Sequence, residues 1–213
     1  GAIGAITPKA LTVVLTGSVK REYDGTLAAT LAASNYALSG VVGGDALTIN
    51  ATQGLFASKD AARDIQVTAS LSATDLSSSN GALASNYALP VTASGVIGEI
   101  TPKLLSGTLT GSVSRVYDST LQASLAASNY LLSGLVGSDS LTVTRTQGAF
   151  ASKDVGSGLV VTATVSPADF LAGTGTVLTN YVLPSTMSGA IGAITPKALT
   201  IALTGAVKRE YDG

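Results

Sequence analysis

The stretch ITPKALTVVLTGSVKREYDG, from Ile6 to Gly25, decides how the rest of the chain is read. It returns as ITPKLLSGTLTGSVSRVYDS from Ile100 and as ITPKALTIALTGAVKREYDG from Ile194, a spacing of 94 residues each time. Tyr23, Tyr117 and Tyr211 keep that spacing. So do Asn35-Tyr36 and Asn129-Tyr130, Gly54 and Gly148, Lys59-Asp60 and Lys153-Asp154, Asn86-Tyr87 and Asn180-Tyr181. The first two copies align without insertion or deletion, and more than half of their positions are identical. Solenoid units usually run roughly 20–50 residues. A unit of this length is instead a small domain with its own core. The expected organisation is a tail of a preceding repeat (1–7), one β domain (8–99), a second (100–193) and the start of a third repeat (194–213). The unfinished third copy reads as a window onto a longer array. Gly189 to Gly213 differs from Gly1 to Gly25 only at Ile201, Ala202 and Ala206, whereas the second copy differs more. This leaves open an array that alternates between two unit types.

Composition narrows the function classes. Apolar residues make up 46 % of the 213 residues and charged ones 12 %, which excludes a disordered chain. No apolar run approaches the roughly 18 residues of a membrane span. A net charge of −1, with no basic stripe, argues against nucleic acid and anionic lipid. Cysteine, histidine and tryptophan are absent. Disulfides and thiolate metal sites are therefore excluded, and the usual general base and zinc ligand are missing. No Ser-x-x-Lys or Gly-x-Ser-x-Gly motif is present, so the chain is not expected to be an enzyme.

Within one unit the expected elements are strands. Lys9 to Thr16 is β-branched and apolar, with Pro8 at its entrance, where a missing N–H is tolerated. Tyr23-Asp24-Gly25 signals a turn. Tyr36 to Val42, Ala46 to Asn50, Leu55 to Ala57 and Ile65 to Leu71 read as strands, the last with a strict period of two. Tyr87 to Ile97 reads as one long closing strand with Pro90 at a bulge or edge. Thr26 to Ala33 suits a short turn of helix. Thr74 to Leu83 reads as a surface loop. Short strands with frequent turn signals imply an all-β fold of tandem, Ig-like β-sandwich domains. The junctions Ile97 to Lys103 and Ile191 to Lys197 are short and stiffened by Pro102 and Pro196, which favours an extended rod.

Several blocks in order carry a resemblance: ITPKALT, YDG, LSGVVGGDALT, GLFASKD and NYALP. Together they resemble the YDG domain of large bacterial surface proteins, found in tandem in filamentous-haemagglutinin-like adhesins and exoproteins. Ser119 replaces the Gly of the name-giving motif in the second copy, and Leu83-Ala84-Ser85 and Leu178-Thr179 depart from the family pattern. The resemblance implies an extracellular, β-rich stalk domain, with no catalytic residues to carry over.

Candidate sites follow from the repeated polar residues. Asp24, Asp45 and Asp60 recur as Asp118, Asp139 and Asp154, and Asp75 as Asp169. Such carboxylates suit Ca²⁺ in an extracellular fibre. No stretch has the dense spacing of a calcium loop, so turn capping is the plainer reading and no cofactor is required. Tyr23 and Tyr117 suit stacking on sugars. Tyr36, Tyr87, Tyr130 and Tyr181 each follow Asn, as a core tyrosine whose hydroxyl satisfies a loop would. Lys9, Lys103 and Lys197 invite comparison with side-chain amide crosslinks, although a place beside Pro suggests exposure. The expected function is a structural stalk or spacer of a long secreted bacterial adhesin or matrix fibre, in cell adhesion or biofilm. Expected partners are neighbouring repeats, other fibres associating laterally, and a glycan or host surface. Multivalent glycan or fibre binding by avidity is the rival. A third arrangement has Ala10 to Thr16 completing the preceding domain's sheet.

Overall fold

The computed structural model describes residues 4–213, so Gly1 to Ile3 of the expected N-terminal tail lie outside the described residues. Among these residues the fold is all β, with short 3₁₀ turns and no α-helix. The first repeat supplies β1 (Lys9–Ala10), β2 (Thr12–Leu15), β3 (Val19–Glu22), β4 (Ala28–Thr30), β5 (Tyr36–Ser39), β6 (Leu47–Ile49), β7 (Gln53–Phe56), β8 (Ala62–Ser70), β9 (Leu76–Ser78), β10 (Tyr87–Ala88) and β11 (Thr92–Thr101). The second repeats the series as β12 (Lys103–Leu104), β13 (Ser106–Leu109), β14 (Val113–Val116), β15 (Gln122–Ser124), β16 (Tyr130–Ser133), β17 (Leu141–Val143), β18 (Gln147–Phe150), β19 (Gly156–Thr164), β20 (Phe170–Ala172), β21 (Tyr181–Val182) and β22 (Thr186–Thr195).

Each repeat builds one five-stranded sheet. Its order is β3-β11-β8-β7-β4 in the first and β14-β22-β19-β18-β15 in the second. Small two-stranded ladders complete the first repeat: β1 with β10, β2 with β5, β6 with β9. Period-two burial explains the register. In β8, Ile65, Val67 and Ala69 point inward while their neighbours stay exposed. β11 approaches β2 so closely that a Cβ on Gly95 would lie 2.2 Å from the Leu15 carbonyl oxygen. Gly98 sits at a bulge of β11, where a Cβ would strike the buried Phe56 ring at 2.6 Å. The Arg21 guanidinium covers that ring, 5.0 Å from its centroid, and Arg115 does the same to Phe150 at 5.1 Å.

The chain forms two compact units. One takes in residues up to Ser106 together with Ser133–Leu141 and Ala172–Leu183; the other takes Gly107–Leu132, Thr142–Leu171 and Pro184 onward. The core of the first gathers Leu11, Val13, Leu15, Ile49, Phe56 and Val67, with Leu105 and Tyr181 from the second repeat. The second unit buries Leu109, Val143, Phe150, Val161, Phe170, Met187 and Ile194.

Several sequence expectations need correction. Thr26 to Ala33 is not helical: Ala28 to Thr30 form β4, paired with β7, because cross-strand packing outweighs the helix preference of alanine. A 3₁₀ turn follows at Ala33–Asn35. The long closing strand is interrupted at Leu89-Pro90-Val91, where proline offers no N–H to a ladder. Thr74 to Leu83 is not all loop, since Leu76 is buried and β9 pairs with β6. Within the expected junction Ile97 to Lys103, β11 runs on to Thr101, and only Pro102 separates it from β12. β22 likewise runs to Thr195, directly before Pro196. Ala10 to Thr16 does not complete a preceding sheet. Ala10 pairs with Ala88, and β2 pairs with β5 of the same repeat. Beyond Thr195 no strand forms, and Leu199, Ile201, Leu203, Val207 and Tyr211 are exposed, although their counterparts Leu11, Val13, Leu15, Val19 and Tyr23 are buried.

Candidate functional site

The YDG corner begins with Arg21, on β3. Its guanidinium donates to the Asp24 carboxylate, to the Thr26 hydroxyl at 2.7 Å and to the Thr26 carbonyl. The Thr26 N–H and hydroxyl also donate to Asp24, each at 2.8 Å. Burial alone would push the Asp24 carboxyl up. The Thr26 donors and Arg21 outweigh it and hold the group below the usual carboxylate range. Gly25 stands at φ +77°, in the left-handed region that favours glycine. The second copy rebuilds the corner with Arg115, Asp118 and Thr120, and the Thr120 N–H leads in holding Asp118 low. Ser119 adopts φ +67° there, the same conformation with a side chain added.

The corner presents Tyr23, which is 2 % exposed. Its hydroxyl donates to Asp139 Oδ2 at 2.9 Å. The Tyr181 hydroxyl donates to the same oxygen at 2.6 Å and accepts the Val136 N–H at 3.0 Å. The two rings meet edge to face, 5.4 Å between centroids. Beside them Asn180, 1 % exposed, accepts the Ala61 N–H at 2.7 Å and donates to Asp60 Oδ1 at 2.9 Å. Burial first, then the hydrogen bond to Asp139, raises both phenols above their ordinary value. Every residue of this cluster lies in the first compact unit. Tyr23, Asp60 and Ala61 come from the first repeat; Val136, Asp139, Asn180 and Tyr181 come from the second. The cluster is therefore a polar joint between consecutive repeats, in which each acceptor named is matched by a donor.

The same residue types do different work in the other copy. Tyr87 donates to Asp45 and accepts the Val42 N–H at 3.1 Å, reproducing the half of the joint internal to a repeat. Asn86, the counterpart of the buried Asn180, is exposed. Tyr117, the counterpart of Tyr23, is half-buried, and Asp154, the counterpart of Asp60, is exposed beside Ser152. Tyr36 and Tyr130 point inward, their hydroxyls donating to the Ala51 and Arg145 carbonyls at 2.9 and 2.8 Å.

Of the calcium candidates Asp24, Asp45, Asp60, Asp118, Asp139 and Asp154, Asp60 and Asp139 meet in the joint, each bound by side-chain donors. Among the described residues no three acidic side chains are placed to share a metal ion. Asp75 and Asp169 instead cap 3₁₀ turns, accepting the Ser72 and Ser166 N–H groups at 2.7 and 2.8 Å. Pro8 precedes β1, Pro102 separates β11 from β12, and Pro196 follows β22. Lys9 and Lys197 are exposed and Lys103 is half-buried. Sequence reasoning missed Asn180, Val136 and Arg21. The pairs Asn86-Tyr87 and Asn180-Tyr181 were visible as a pattern, but of their two asparagines only Asn180 is buried.

The sequence profile of the YDG domain matches residues 7–95 and again residues 101–189. No curated protein and no solved structure matches the chain.

Proposed function

Because the chain belongs to the YDG domain family, with two such domains in tandem, we propose that it is a structural spacer. In this reading it is a stalk segment of a long secreted bacterial adhesin or extracellular matrix fibre, with Ig-like sandwich units carried in an extended rod. The observation that carries the reading is the joint. Tyr23 and Asp60 of one repeat bond to Asp139 and Asn180 of the next, side chain to side chain, inside one compact unit. A tether between repeats that act separately has no need of such bonds. A spacer that transmits position from one repeat to the next does. The joint is also heterologous: one repeat offers the Tyr-Asp face and the next offers the Asp-Asn face. Such a head-to-tail contact can recur at each successive boundary. Cell adhesion or biofilm at the bacterial surface, and lateral contact between fibres, complete the proposal.

The competing reading, a glycan-binding module acting by avidity, has no comparable observation behind it. The aromatic rings that would form a platform are turned inward or half-buried. Electron microscopy of native material carrying the array tests the spacer reading. Straight segments whose length grows in proportion to repeat number are expected. Chains that bend freely at every repeat would overturn it. Millimolar or tighter binding of this chain in a glycan screen would favour the rival.

A further inference from the structure

In each repeat two early strands pair in parallel with the last two. β3 lies beside β11 with Val19 opposite Gly98 and Glu22 opposite Thr101, and β1 lies beside β10. The second repeat does the same, β14 beside β22 and β12 beside β21. The other ladders of known register are antiparallel. Parallel neighbours start at the same end. A pull on the incoming chain therefore draws the early strands from their starts. A pull on the outgoing chain draws β11 from its finish, at the opposite end. The paired strands are loaded along their lengths in opposing directions, and their hydrogen bonds must stretch together. An antiparallel pair pulled from one end opens bond by bond instead.

We propose that each repeat is a force-bearing module, with β3·β11 (and β14·β22 in the second) as its mechanical latch. β1·β10 is met first, but with two residues it releases early. β11 is loaded directly at Thr101, and the last four residues of β11 are the ones paired with β3. Further bonds reinforce that stretch. The Tyr23 N–H donates to the Thr101 carbonyl at 2.9 Å, and Lys20 reaches Glu99 across the ladder at 3.2 Å. Gly95, in the same strand, is packed against the Leu15 backbone of β2, so β11 has little room to slide. The proposal rests on strand order within a repeat and stands apart from the spacer reading: a freely bending array would still contain latched repeats.

Single-molecule pulling tests it. The chain has no cysteine, so engineered thiols give unambiguous handles. Pulled through its two ends, the chain should rupture abruptly. Release of the first latch frees the residues from Val19 to Thr101, a gain of roughly 280 Å of contour. Handles at Arg63→Cys and the C-terminal end load β8 and β11 from the same end, since Ala62 lies opposite Ile100. This geometry should rupture at clearly lower force. Equal forces in the two geometries would overturn the proposal. A second comparison guards against a variant that fails to fold. Arg21→Pro removes a ladder N–H from β3, since Arg21 faces β11 on the same side as Tyr23, whereas Leu76→Ala weakens the core through β9. The first should lose most of the end-to-end rupture force, and the second should keep it even where its denaturant stability is as low. A force that tracks stability alike in both variants would also overturn the latch.

Discussion

Asp139→Ala is the most direct test of the joint, because the repeat supplies its own control. Asp139 accepts two buried tyrosine hydroxyls, from Tyr181 and from Tyr23. Its counterpart Asp45 accepts only that of Tyr87 among the described residues. A hydrogen bond to a charged group contributes about 1.5–3 kcal/mol, and a buried hydroxyl left without an acceptor loses a similar amount. Asp139 is half-buried, so water can recover part of that loss. Asp139→Ala should therefore cost about 3 kcal/mol and Asp45→Ala about half as much. Tyr23→Phe should cost about 1.5 kcal/mol alone and little more once Asp139 is gone, a coupling of about 1–2 kcal/mol. Urea unfolding followed by near-ultraviolet circular dichroism of the tyrosines measures each term. Changes in midpoint at constant slope report stability. If the two Asp→Ala variants cost the same and Tyr23→Phe is additive with Asp139→Ala, the bond between repeats is absent and the joint argument fails.

Three further outcomes are expected. Gly95→Ala places a Cβ 2.2 Å from the Leu15 carbonyl oxygen and should destabilise by about 3 kcal/mol or more, whereas Gly43→Ala, with nothing near, should be close to neutral in the same urea assay. Ser119→Gly relieves a φ of +67° and should stabilise by about 0.5–1 kcal/mol in calorimetry, the gain being reduced by the greater freedom of unfolded glycine. Because the Tyr23 and Tyr181 phenols are raised in the folded chain, stability should be complete below pH about 10. Above it, stability should fall as unfolded tyrosines ionise first, by up to about 1.4 kcal/mol per pH unit for each. A flat urea midpoint between pH 9 and 11 would contradict this.

Strands that carry their own pattern were legible in the sequence. β8 alternates apolar and polar residues, so both its existence and its buried face could be read directly. β3, VKRE, was not legible. It has no apolar alternation: Arg21 lays its guanidinium over Phe56, and only Val19 of the four points fully inward. β4 was hidden by alanines whose local preference is helical. Neither the parallel pairing of β3 with β11 nor the continuation of β11 through the expected junction leaves a local trace. Both depend on partners some eighty residues away.

The joint exposes a different limit. Periodicity assigns equivalent residues the same role, and here they divide. Tyr87 and Tyr181 keep one role in both copies, holding the loop of their own repeat through Asp45 and Asp139. Asn86 and Asn180 do not: one is exposed, the other is 1 % exposed with Asp60 and Ala61 as partners. Tyr23 and Tyr117 diverge in the same way. What separates the pairs is the partner each meets: Tyr23 reaches Asp139 and Asn180 reaches Asp60, side chains that belong to the other repeat. The identity between copies that made the repeat plain also concealed which residues look inward and which look to the next unit. That division supplies a criterion for any longer chain of these domains. Residues equivalent to Tyr23, Asp60, Asp139 and Asn180 should vary together across each boundary.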